Sequence, residues 1–400
     1  MTRLRRLEDL DPGGLDGAPV FVRVDFNVPL ADGRVADDKR LEAALPTLEW
    51  LRGRGARLVL ASHLGRPKGE PDPELSLRPV AGRLAELLAA PVAFATDCVG
   101  APARSAVAAL APGGVCLLEN LRFHPGEKAN DPDFAAQLAG LARIYVNDAF
   151  GAAHRAHASV VGVPGRLTER AAGRLLEAEV AALTRLLERP ERPFAAVVGG
   201  AKIAGKSDTL ANLLPRLDRL VLGGAMANTF LAARGAALGA SLVENDRVEL
   251  AGEILAAAES AGVEVTLPGD LVVTDSLDGP SRIETVDASR VPDGLMAVDI
   301  GPRARTAAAA ALADAGTVFW NGPLGVFETP PFDQGTLAVA RAVAASPATS
   351  VIGGGETVAA AGRAGVLDQI THVSTGGGAS LELLAGRALP GVAALDREVA

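Results

Sequence analysis

Four short motifs in the first half of the chain contain arginine, three of them with histidine and two with asparagine and an acidic residue. Arginine and histidine bind small anions, because their N–H groups donate charge-assisted hydrogen bonds to phosphate and carboxylate oxygens. The motifs are Val22–Asn27, Ser62–Lys68, Glu119–His124 and Ala153–His157. This half of the chain is therefore predicted to hold a small anionic ligand with charged side chains.

The second half carries glycine-rich motifs instead. Glycine allows backbone N–H groups to approach a phosphate closely at the start of a helix. These motifs are Gly199–Lys202, Gly223–Ala225, Gly353–Thr357 and Thr375–Gly378. The two kinds of motif together indicate two phosphate-bearing ligands, one for each half, between which a group is transferred.

The elements that carry these motifs follow a βα rhythm, in which short apolar runs alternate with segments of helical period. Strands are predicted at Val20–Val24, Leu58–Ser62, Val115–Leu118, Ile144–Asn147, Ala195–Val198, Arg219–Leu222, Thr317–Trp320, Ser350–Ile352 and His372–Ser374. Helices are predicted at Lys39–Arg54, Leu77–Ala90, Asp133–Leu141, Thr168–Arg189, Asp208–Leu217, Arg247–Ala261 and Gln334–Ala345. The pattern predicts an α/β fold with doubly wound parallel sheets. Nearly every motif follows a strand, where open α/β sheets bind ligands.

Composition narrows the class of protein. A length of 400 residues favours two domains, and Thr168–Arg189 is expected to be the helix between them. The formal net charge of −9 argues against nucleic acid as a partner. Two cysteines are too few for a disulfide framework, which suits a cytoplasmic protein. Neither a signal segment nor a membrane-spanning apolar run is recognised.

Lysine is rare, and two lysines stand close together. Only five of the 39 lysine and arginine residues are lysines, among them Lys202 and Lys206. A compact ammonium fits beside a phosphoryl group where a planar guanidinium would be too bulky. Gly200–Ser207 also matches the P-loop pattern G-x-x-x-x-G-K-[ST] after an apolar strand. A P-loop NTPase is therefore an alternative, although it would leave the arginine and histidine motifs of the first half unexplained.

Eight segments resemble, in the same order, those of the phosphoglycerate kinase family: RVDFNVP, SHLGRP, ENLRFHPGE, NDAFGAAHRAHAS, GGAK, NGPLGVFE, GGGET and STGGGAS. The resemblance implies two Rossmann-like domains that face each other across a cleft. It implies a substrate domain of residues 1–170 joined by residues 380–400, and a nucleotide domain of residues 171–379. It also implies reversible phosphoryl transfer between 1,3-bisphosphoglycerate and ADP, giving 3-phosphoglycerate and ATP, with Mg²⁺ and with closure about a hinge.

The resemblance implies the following site residues. Substrate-binding positions are Asp25, Phe26, Asn27, Arg40, His63, Leu64, Gly65, Arg66, Arg122 and Arg155. Nucleotide-binding positions are Gly200, Ala201, Lys206, Gly223, Asn321, Pro323, Val326, Glu328, Gly354, Gly355, Glu356 and Thr357. Glu356 stands where the family usually has aspartate to hold the nucleotide's Mg²⁺.

Physical roles can be expected for these residues. Arg66, Arg122 and Arg155 are forked donors for the non-reacting phosphate, His63 and Asn27 orient the carboxyl end, and Asp25 accepts from the substrate hydroxyl. The acceptor carboxylate is already ionised near neutral pH, so no general base is needed. Groups expected around the transferring phosphoryl are Arg40, Lys202, Lys206, Gly354 and Gly377.

Some expectations stay general. His154 and His157 are expected to pack or to support the site, while His124 and His372 receive no role. We expect a monomer that acts on small molecules, without nucleic acid or membrane partners. A different phosphotransferase with a carboxylate acceptor is the second alternative. A two-lobed binding protein and a dinucleotide oxidoreductase are less favoured.

Overall fold

The computed structural model describes residues 4–396. The chain forms two compact units: the first contains the residues up to Ala181 and those from Ala388 onward, and the second contains Ala182–Arg387. Within the described residues, none of the helices is at once long enough and apolar enough to cross a membrane.

A six-stranded parallel sheet forms the centre of the first unit. Its six strands are β1 (Pro19–Arg23), β4 (Arg57–Ala61), β5 (Val92–Ala95), β6 (Val115–Leu118), β7 (Ile144–Asn147) and β8 (Glu169–Ala172). Between β1 and β4, β2 (Leu30–Ala31) and β3 (Arg34–Val35) form a separate small hairpin. The order across the sheet is β5-β6-β4-β1-β7-β8. The carboxyl ends of β1, β4, β6 and β7 therefore lie along one edge, which brings the motifs of the first half together.

Helices cover this sheet. They are α1 (Lys39–Arg52), α2 (Arg78–Leu87), α3 (Gly100–Ala108), α4 (Pro125–Ala129), α5 (Pro132–Ala139) and α6 (Arg174–Glu188), which passes the boundary between the units. In α1 the buried residues Leu41, Ala44, Leu48 and Leu51 recur every three or four positions, so one face packs on the core. The first turn of the same helix carries Arg40 beside the strand ends.

A second six-stranded parallel sheet forms the centre of the second unit. The strands of this unit are β9 (Phe194–Val198), β10 (Arg219–Leu222), β11 (Ala237–Leu238), β12 (Glu264–Thr266), β13 (Asp270–Thr274), β14 (Ile283–Asp287), β15 (Arg290–Val291), β16 (Met296–Ile300), β17 (Thr317–Asn321), β18 (Thr349–Gly353) and β19 (His372–Val373). The sheet order is β12-β10-β9-β17-β18-β19. The strand order reverses between β9 and β17, and such a reversal opens a crevice at the carboxyl ends.

The helices of the second unit are α7 (Ser207–Leu213), α8 (Gly224–Ala233), α9 (Val248–Ser260), α10 (Pro302–Leu312), α11 (Gln334–Ala345), α12 (Gly355–Arg363) and α13 (Gly378–Leu384), and α14 (Pro390–Ala393) follows in the first unit. Beside the main sheet, β14, β13 and β16 form an antiparallel sheet, and β11 pairs with β15. The predicted α/β class with doubly wound parallel sheets is confirmed.

One predicted helix is wrong in its first part. Thr168–Arg189 was expected to be a single helix, but Glu169–Ala172 is β8, and α6 begins only at Arg174. Alanine, glutamate and arginine favour a helix locally, whereas pairing with β7 draws this segment into the sheet. The buried carboxylate of Asp148 marks the change, because its Oδ1 accepts from the amides of Leu175 at 2.9 Å and Leu176 at 3.3 Å.

Asp148 should make the stability of the first unit depend on pH. Burial raises the pKa of its carboxyl from 3.8 to about 7, although the two amides oppose the shift. The native state therefore holds an extra proton between these values, and its stability falls as the pH rises from about 4 to about 7. In Asp148→Asn this slope should be absent. As the pH rises from about 4 to about 7, the free energy of unfolding of Asp148→Asn should therefore gain on the order of 4 kcal/mol relative to that of the wild type.

Urea unfolding of both proteins at pH 4.5, 6 and 8 would measure this difference. Asp131→Asn is the matched control, since it also removes an acidic helix cap but lies at the start of α5 and is more exposed. If the free energy of unfolding varied with pH in the same way for wild type and Asp148→Asn, the prediction would be wrong, because the carboxyl of Asp148 would then be ionised in the native state at every pH tested.

Candidate active site

The loops that follow β1 and β4 are tied together by hydrogen bonds. The amide of Phe26 donates to Oγ of Ser62 at 2.8 Å, and the amide of Gly65 donates to Oδ1 of Asn27 at 2.8 Å. The Asn27 side-chain nitrogen donates to no residue that the structure describes, so it is available for a ligand. These loops carry Asp25 and His63 to the strand ends beside Arg23, Arg40, Arg122 and Arg155, a set that we call the basic site.

Asp25 is the acidic centre of the basic site. Its Oδ2 accepts from Nη1 of Arg40, while its Oδ1 is buried and accepts no hydrogen bond from a described residue. Nδ1 of His63 lies 3.8 Å from this oxygen. A buried carboxylate oxygen without a donor is unfavourable, so the site is suited to a ligand that brings a hydroxyl group.

Arg23 is a member of the basic site that the sequence did not single out. Its side chain is buried, and Nη2 lies 3.2 Å from Nδ1 of His63. Burial holds the pKa of His63 well below its usual range, and the guanidinium groups of Arg23, Arg122, Arg155 and Arg40 lower it further. His63 is therefore a neutral imidazole in the ligand-free protein.

Arg122 lies beside His63 in the short helical turn after β6. Its Nη1 donates to the carbonyl of Gly65 at 2.6 Å, whereas Nε is buried and has no partner among the described residues. Burial, followed by the charges of Arg155 and Arg23, lowers the pKa of Arg122 to about 10. Unsatisfied donors in a cluster of like charges favour the entry of an anion.

The remaining expected residues of the first unit differ in their surroundings. Nε of Arg155 donates to Nε2 of His154 at 3.2 Å, and Nδ1 of His157 lies 3.8 Å from Oε1 of Glu127. Burial is the main cause that lowers the pKa of His157 to about 4. Arg66 is exposed and makes no hydrogen bond or ion pair within the described part of the chain. Phe26 and Leu64 are buried behind the loops.

Of the two other histidines, His124 has contacts of its own and His372 belongs to the second unit. Nε2 of His124 is 2.7 Å from Oδ1 of Asp97, and its ring stacks on Phe134. His372 stands in β19 of the second unit, partly buried. The contacts of His124 do not suggest a part in the chemistry of the basic site.

In the second unit the glycine motifs close around the reversal point of the sheet. The amide of Gly199 donates to the carbonyl of Asn321 at 3.0 Å, and that of Gly200 donates to Pro323 at 2.7 Å. Gly224 has φ +67°, and a Cβ there would lie 2.6 Å from the Gly200 carbonyl oxygen. Only glycine fits this close approach of three backbone segments. Gly223, just before it, stands at the start of α8.

A cleft of about 190 Å³ opens beside these segments. Six of the expected nucleotide residues line it, namely Gly200, Ala201, Pro323, Val326, Glu328 and Glu356. Its apolar wall includes Leu271, Val298 and Leu324, which the sequence did not indicate. An apolar slot with carboxylates at its rim suits a flat base that is joined to a polar ribose.

The Gly354–Thr357 segment turns from β18 into α12 next to β17. Oγ1 of Thr357 accepts from the amide of Gly322 at 2.7 Å, and Nδ2 of Asn321 donates to the Gly353 carbonyl at 2.8 Å. Gly355 and Glu356 are exposed in the first turn of α12, where backbone N–H groups attract anions. Gly377 has φ +44° just before α13.

Lys206 is held against the backbone between the two central strands. Its Nζ donates to the Gly199 carbonyl and lies 3.3 Å from the Asn321 carbonyl. Burial lowers the pKa of Lys206 to about 8, and the nearby Glu356 carboxylate opposes this shift. Lys202 is exposed and contacts no other charged or polar side chain that the structure describes.

Comparison with known proteins decides the family. Residues 7–387 match the model of the phosphoglycerate kinase family. The chain belongs to the phosphoglycerate kinase family. Curated phosphoglycerate kinases of Moorella thermoacetica and Desulforudis audaxviator are 56% and 55% identical, with 98% of this chain and 99% of each relative covered.

Two solved structures that resemble this chain are also phosphoglycerate kinases. That of phosphoglycerate kinase from Coxiella burnetii matches with a TM-score of 0.89 at 40% identity, covering 98% of this chain and 99% of that chain. That of the enzyme from Pyrococcus horikoshii matches with a TM-score of 0.85 at 34% identity, covering 98% of each chain. The protein is accordingly an ATP-dependent phosphoglycerate kinase with a role in glycolysis.

The geometry of Gly200–Ser207 differs from that of a P-loop. A P-loop presents free backbone N–H groups to the phosphates. Here the amide of Ile203 donates to Oε2 of Glu244 at 2.5 Å. The amides of Lys206 and Ser207 donate back to the Ile203 carbonyl at 2.8 and 3.0 Å. The pattern therefore matched by spacing alone, and the P-loop alternative is not favoured.

The site residues that sequence reasoning missed had weak local signals. Arg23 lies inside the Val22–Asn27 motif, but nothing nearby in the sequence indicates that it is buried beside His63. Leu271 and Val298 belong to β13 and β16, whose apolar runs were not assigned to strands. Their place in the cleft follows from the antiparallel sheet, which is set by pairing between distant segments.

Proposed function

We propose that the basic site binds 3-phosphoglycerate and that the glycine-lined cleft binds ATP, so that each unit contributes one ligand to the reversible transfer. The observation that carries this proposal is the different chemistry of the two sites. The basic site offers buried arginines, a neutral histidine and an acidic oxygen without a donor. The cleft offers apolar walls, tight glycine turns and a helix start.

In the basic site, Arg66, Arg122 and Arg155 hold the non-reacting phosphate of the substrate. Arg122 supports this role through its unpartnered Nε, and exposed Arg66 can move onto the ligand. Oδ1 of Asp25 accepts the substrate hydroxyl, while the Asn27 amide and His63 orient the carboxyl end. The substrate carboxylate is ionised near neutral pH, so it attacks the γ-phosphorus without a general base.

Around the transferring phosphoryl group, Arg40, Lys202 and Lys206 balance the negative charge. Backbone N–H groups next to Gly354 and Gly377 complete the cradle. Asn321 and Thr357 keep the glycine turns in place through their hydrogen bonds to the backbone of Gly353 and Gly322. Gly223 does so through its position at the start of α8. Catalysis then rests on positioning and electrostatic stabilisation.

The residues present also fit Mg²⁺. Glu356 is exposed next to the cleft and makes no hydrogen bond or salt bridge with a described residue. Mg²⁺ prefers one or two carboxylate oxygens together with the phosphates of a nucleotide. When bound, the ion neutralises phosphate charge, and Glu356 is the residue that would hold it.

Separate binding measurements test this division. Calorimetry should detect ATP binding that Arg122→Ala leaves unchanged, and 3-phosphoglycerate binding that the same variant weakens at least tenfold. Arg104→Ala, on the surface of α3, is the matched control. Loss of ATP affinity in Arg122→Ala would contradict the division, as would unchanged affinity for 3-phosphoglycerate.

Three further properties belong to the proposal. Transfer requires the ligands to meet in a site without water, so we expect closure about a hinge when both are bound. Scattering of X-rays in solution should show compaction with both ligands and none with either alone. We also propose a cytoplasmic monomer without nucleic acid partners, and sedimentation at micromolar concentration checks the monomer.

A further inference from the structure

A continuous path of hydrogen bonds leads from the carboxylate of Glu127 to the ring of His63. Glu127 lies in α4 and is fully buried. Its Oε1 is 2.6 Å from Oγ of Ser159, and Oγ is 2.8 Å from Nε of Arg23. Nη2 of Arg23 is then 3.2 Å from Nδ1 of His63. Four side chains from four separate segments are therefore joined in one buried path.

The chemistry of the two charged groups sets the direction of every bond in this path. A carboxylate only accepts hydrogen bonds, and a guanidinium only donates them. The hydroxyl of Ser159 must therefore donate to Glu127, and its oxygen accepts from Arg23. Nδ1 of His63 likewise has to accept from Arg23. His63 is then neutral, and its single ring proton is on Nε2.

We propose that Glu127 and Ser159 are positioning residues that hold Arg23 so that it fixes the Nε2–H tautomer of His63. A fixed tautomer presents one N–H donor at Nε2 to an oxygen of the anionic substrate. The inference rests on the proposed function only where it concerns that substrate. The tautomer itself is a property of the free protein.

A competing arrangement shows why Arg23 has to be held. Nδ1 of His63 also lies 3.8 Å from Oδ1 of Asp25, which accepts no hydrogen bond from a described residue. A proton on Nδ1 would be attracted by this oxygen. The positive groups that face His63 are Arg23, Arg40, Arg122 and Arg155, and they oppose an imidazolium. Displacement of the Arg23 donor removes the nearest of these constraints.

Ser159 is itself held on several sides. It belongs to a π-helical turn, Ala158–Gly162, and such turns are frequent at functional sites. Its amide donates to Oε2 of Glu127 at 2.9 Å, and its carbonyl accepts from the buried Tyr145 hydroxyl at 2.9 Å. Glu127 therefore binds both the amide and the hydroxyl of the same residue. This arrangement leaves the Ser159 hydroxyl little freedom to turn away from Arg23.

The decisive variant is Ser159→Ala, which cuts the path without changing any charge. Nitrogen NMR of protein labelled at histidine reports which ring nitrogen carries the proton, and His63→Gln identifies the His63 signals. In the wild type, Nδ1 should be unprotonated and Nε2 protonated between pH 6 and 8. In Ser159→Ala the two nitrogens should show mixed protonation. The KM for 3-phosphoglycerate should rise about tenfold, while the KM for ATP stays unchanged.

Ser350→Ala is the matched control, because it removes a buried hydroxyl of the second unit whose oxygen accepts from the Thr371 amide at 3.0 Å. It should leave the His63 signals unaltered. If Ser159→Ala does not fold, Glu127→Gln carries the same test. The glutamine amide has one accepting oxygen, so it cannot accept from both the amide and the hydroxyl of Ser159.

A proton on Nδ1 in the wild type would overturn the inference. Unchanged His63 signals in a folded Ser159→Ala or Glu127→Gln protein would do so as well. A wild type that does not consume ATP with 3-phosphoglycerate would refute only the proposed function, since the tautomer is measured without substrate.

Discussion

Replacement of Arg40 by alanine should lower turnover by about 10²–10³-fold and leave the affinity for ATP unchanged. Arg40 lies in the first turn of α1, and its half-exposed guanidinium pairs with Oδ2 of Asp25. In the proposed transfer, Arg40 would stabilise negative charge on the transferring group and would hold Asp25 for the substrate hydroxyl. Loss of a donor that acts mainly in the transition state reduces kcat more than it weakens nucleotide binding.

Steady-state kinetics with both substrates varied, together with calorimetry of ATP binding, would measure the two effects. Arg40→Lys keeps the charge but loses the planar fork, so it should recover only part of the activity. Arg52→Ala is the matched control, because it lies in the last turn of α1 and its Nε donates to the Gly113 carbonyl at 3.1 Å. A collapse of ATP affinity in Arg40→Ala would show that Arg40 is wrongly assigned.

The strand-end motifs could be predicted from sequence because their signals are local. A run of buried apolar residues followed by glycine or a charged residue indicates a parallel strand and the turn at its carboxyl end. β6, β7 and β10 have the predicted bounds, and the other six predicted strands differ by one residue at one or both ends. The sequence alone was therefore enough to expect the side chains of Asp25 and His63 near each other.

Features that depend on distant pairing could not be predicted in this way. Glu169–Ala172 has residues of good helix propensity, and it becomes a strand because β7 offers an unpaired edge. Val92–Ala95 was not assigned to an element, and it forms the edge strand β5. Arg23 is linked to Ser159, which is 136 positions away in the chain. Spacing within one motif carries no information about such a contact.

Replacement of Lys206 by alanine should reduce the consumption of ATP with 3-phosphoglycerate by about 10³-fold, the largest loss that we expect from a single change. Lys206 is a partly buried ammonium group whose hydrogen bonds within the described residues go to the backbone carbonyls of Gly199 and Asn321, with the Glu356 carboxylate nearby. Neither carbonyl neutralises its charge. In the proposed transfer, a phosphoryl oxygen would meet a cation that is already partly shielded from water, which strengthens the attraction.

The same residue should make nucleotide affinity depend on pH. Because burial lowers the pKa of Lys206 to about 8, the free protein loses this charge as the pH rises through 8. The apparent affinity for ATP should therefore fall between pH 7 and 9, and the affinity of Lys206→Ala should stay flat. Lys206→Arg, which stays charged throughout this range, should also give a flat profile.

Ser207→Ala is the matched control, since it changes the next residue in the chain. Its hydroxyl makes a single long contact, 3.5 Å to Oδ1 of Asp208, so turnover should change by less than about threefold. A coupled assay with Mg²⁺, with and without 3-phosphoglycerate, compares all the variants. If Ser207→Ala abolished turnover, or if ATP were hydrolysed regardless of 3-phosphoglycerate, the backbone amides of Gly200–Ser207 would have to rearrange into a phosphate loop on binding. Full activity of Lys206→Ala would instead show that the transferring group lies away from the ammonium group of Lys206.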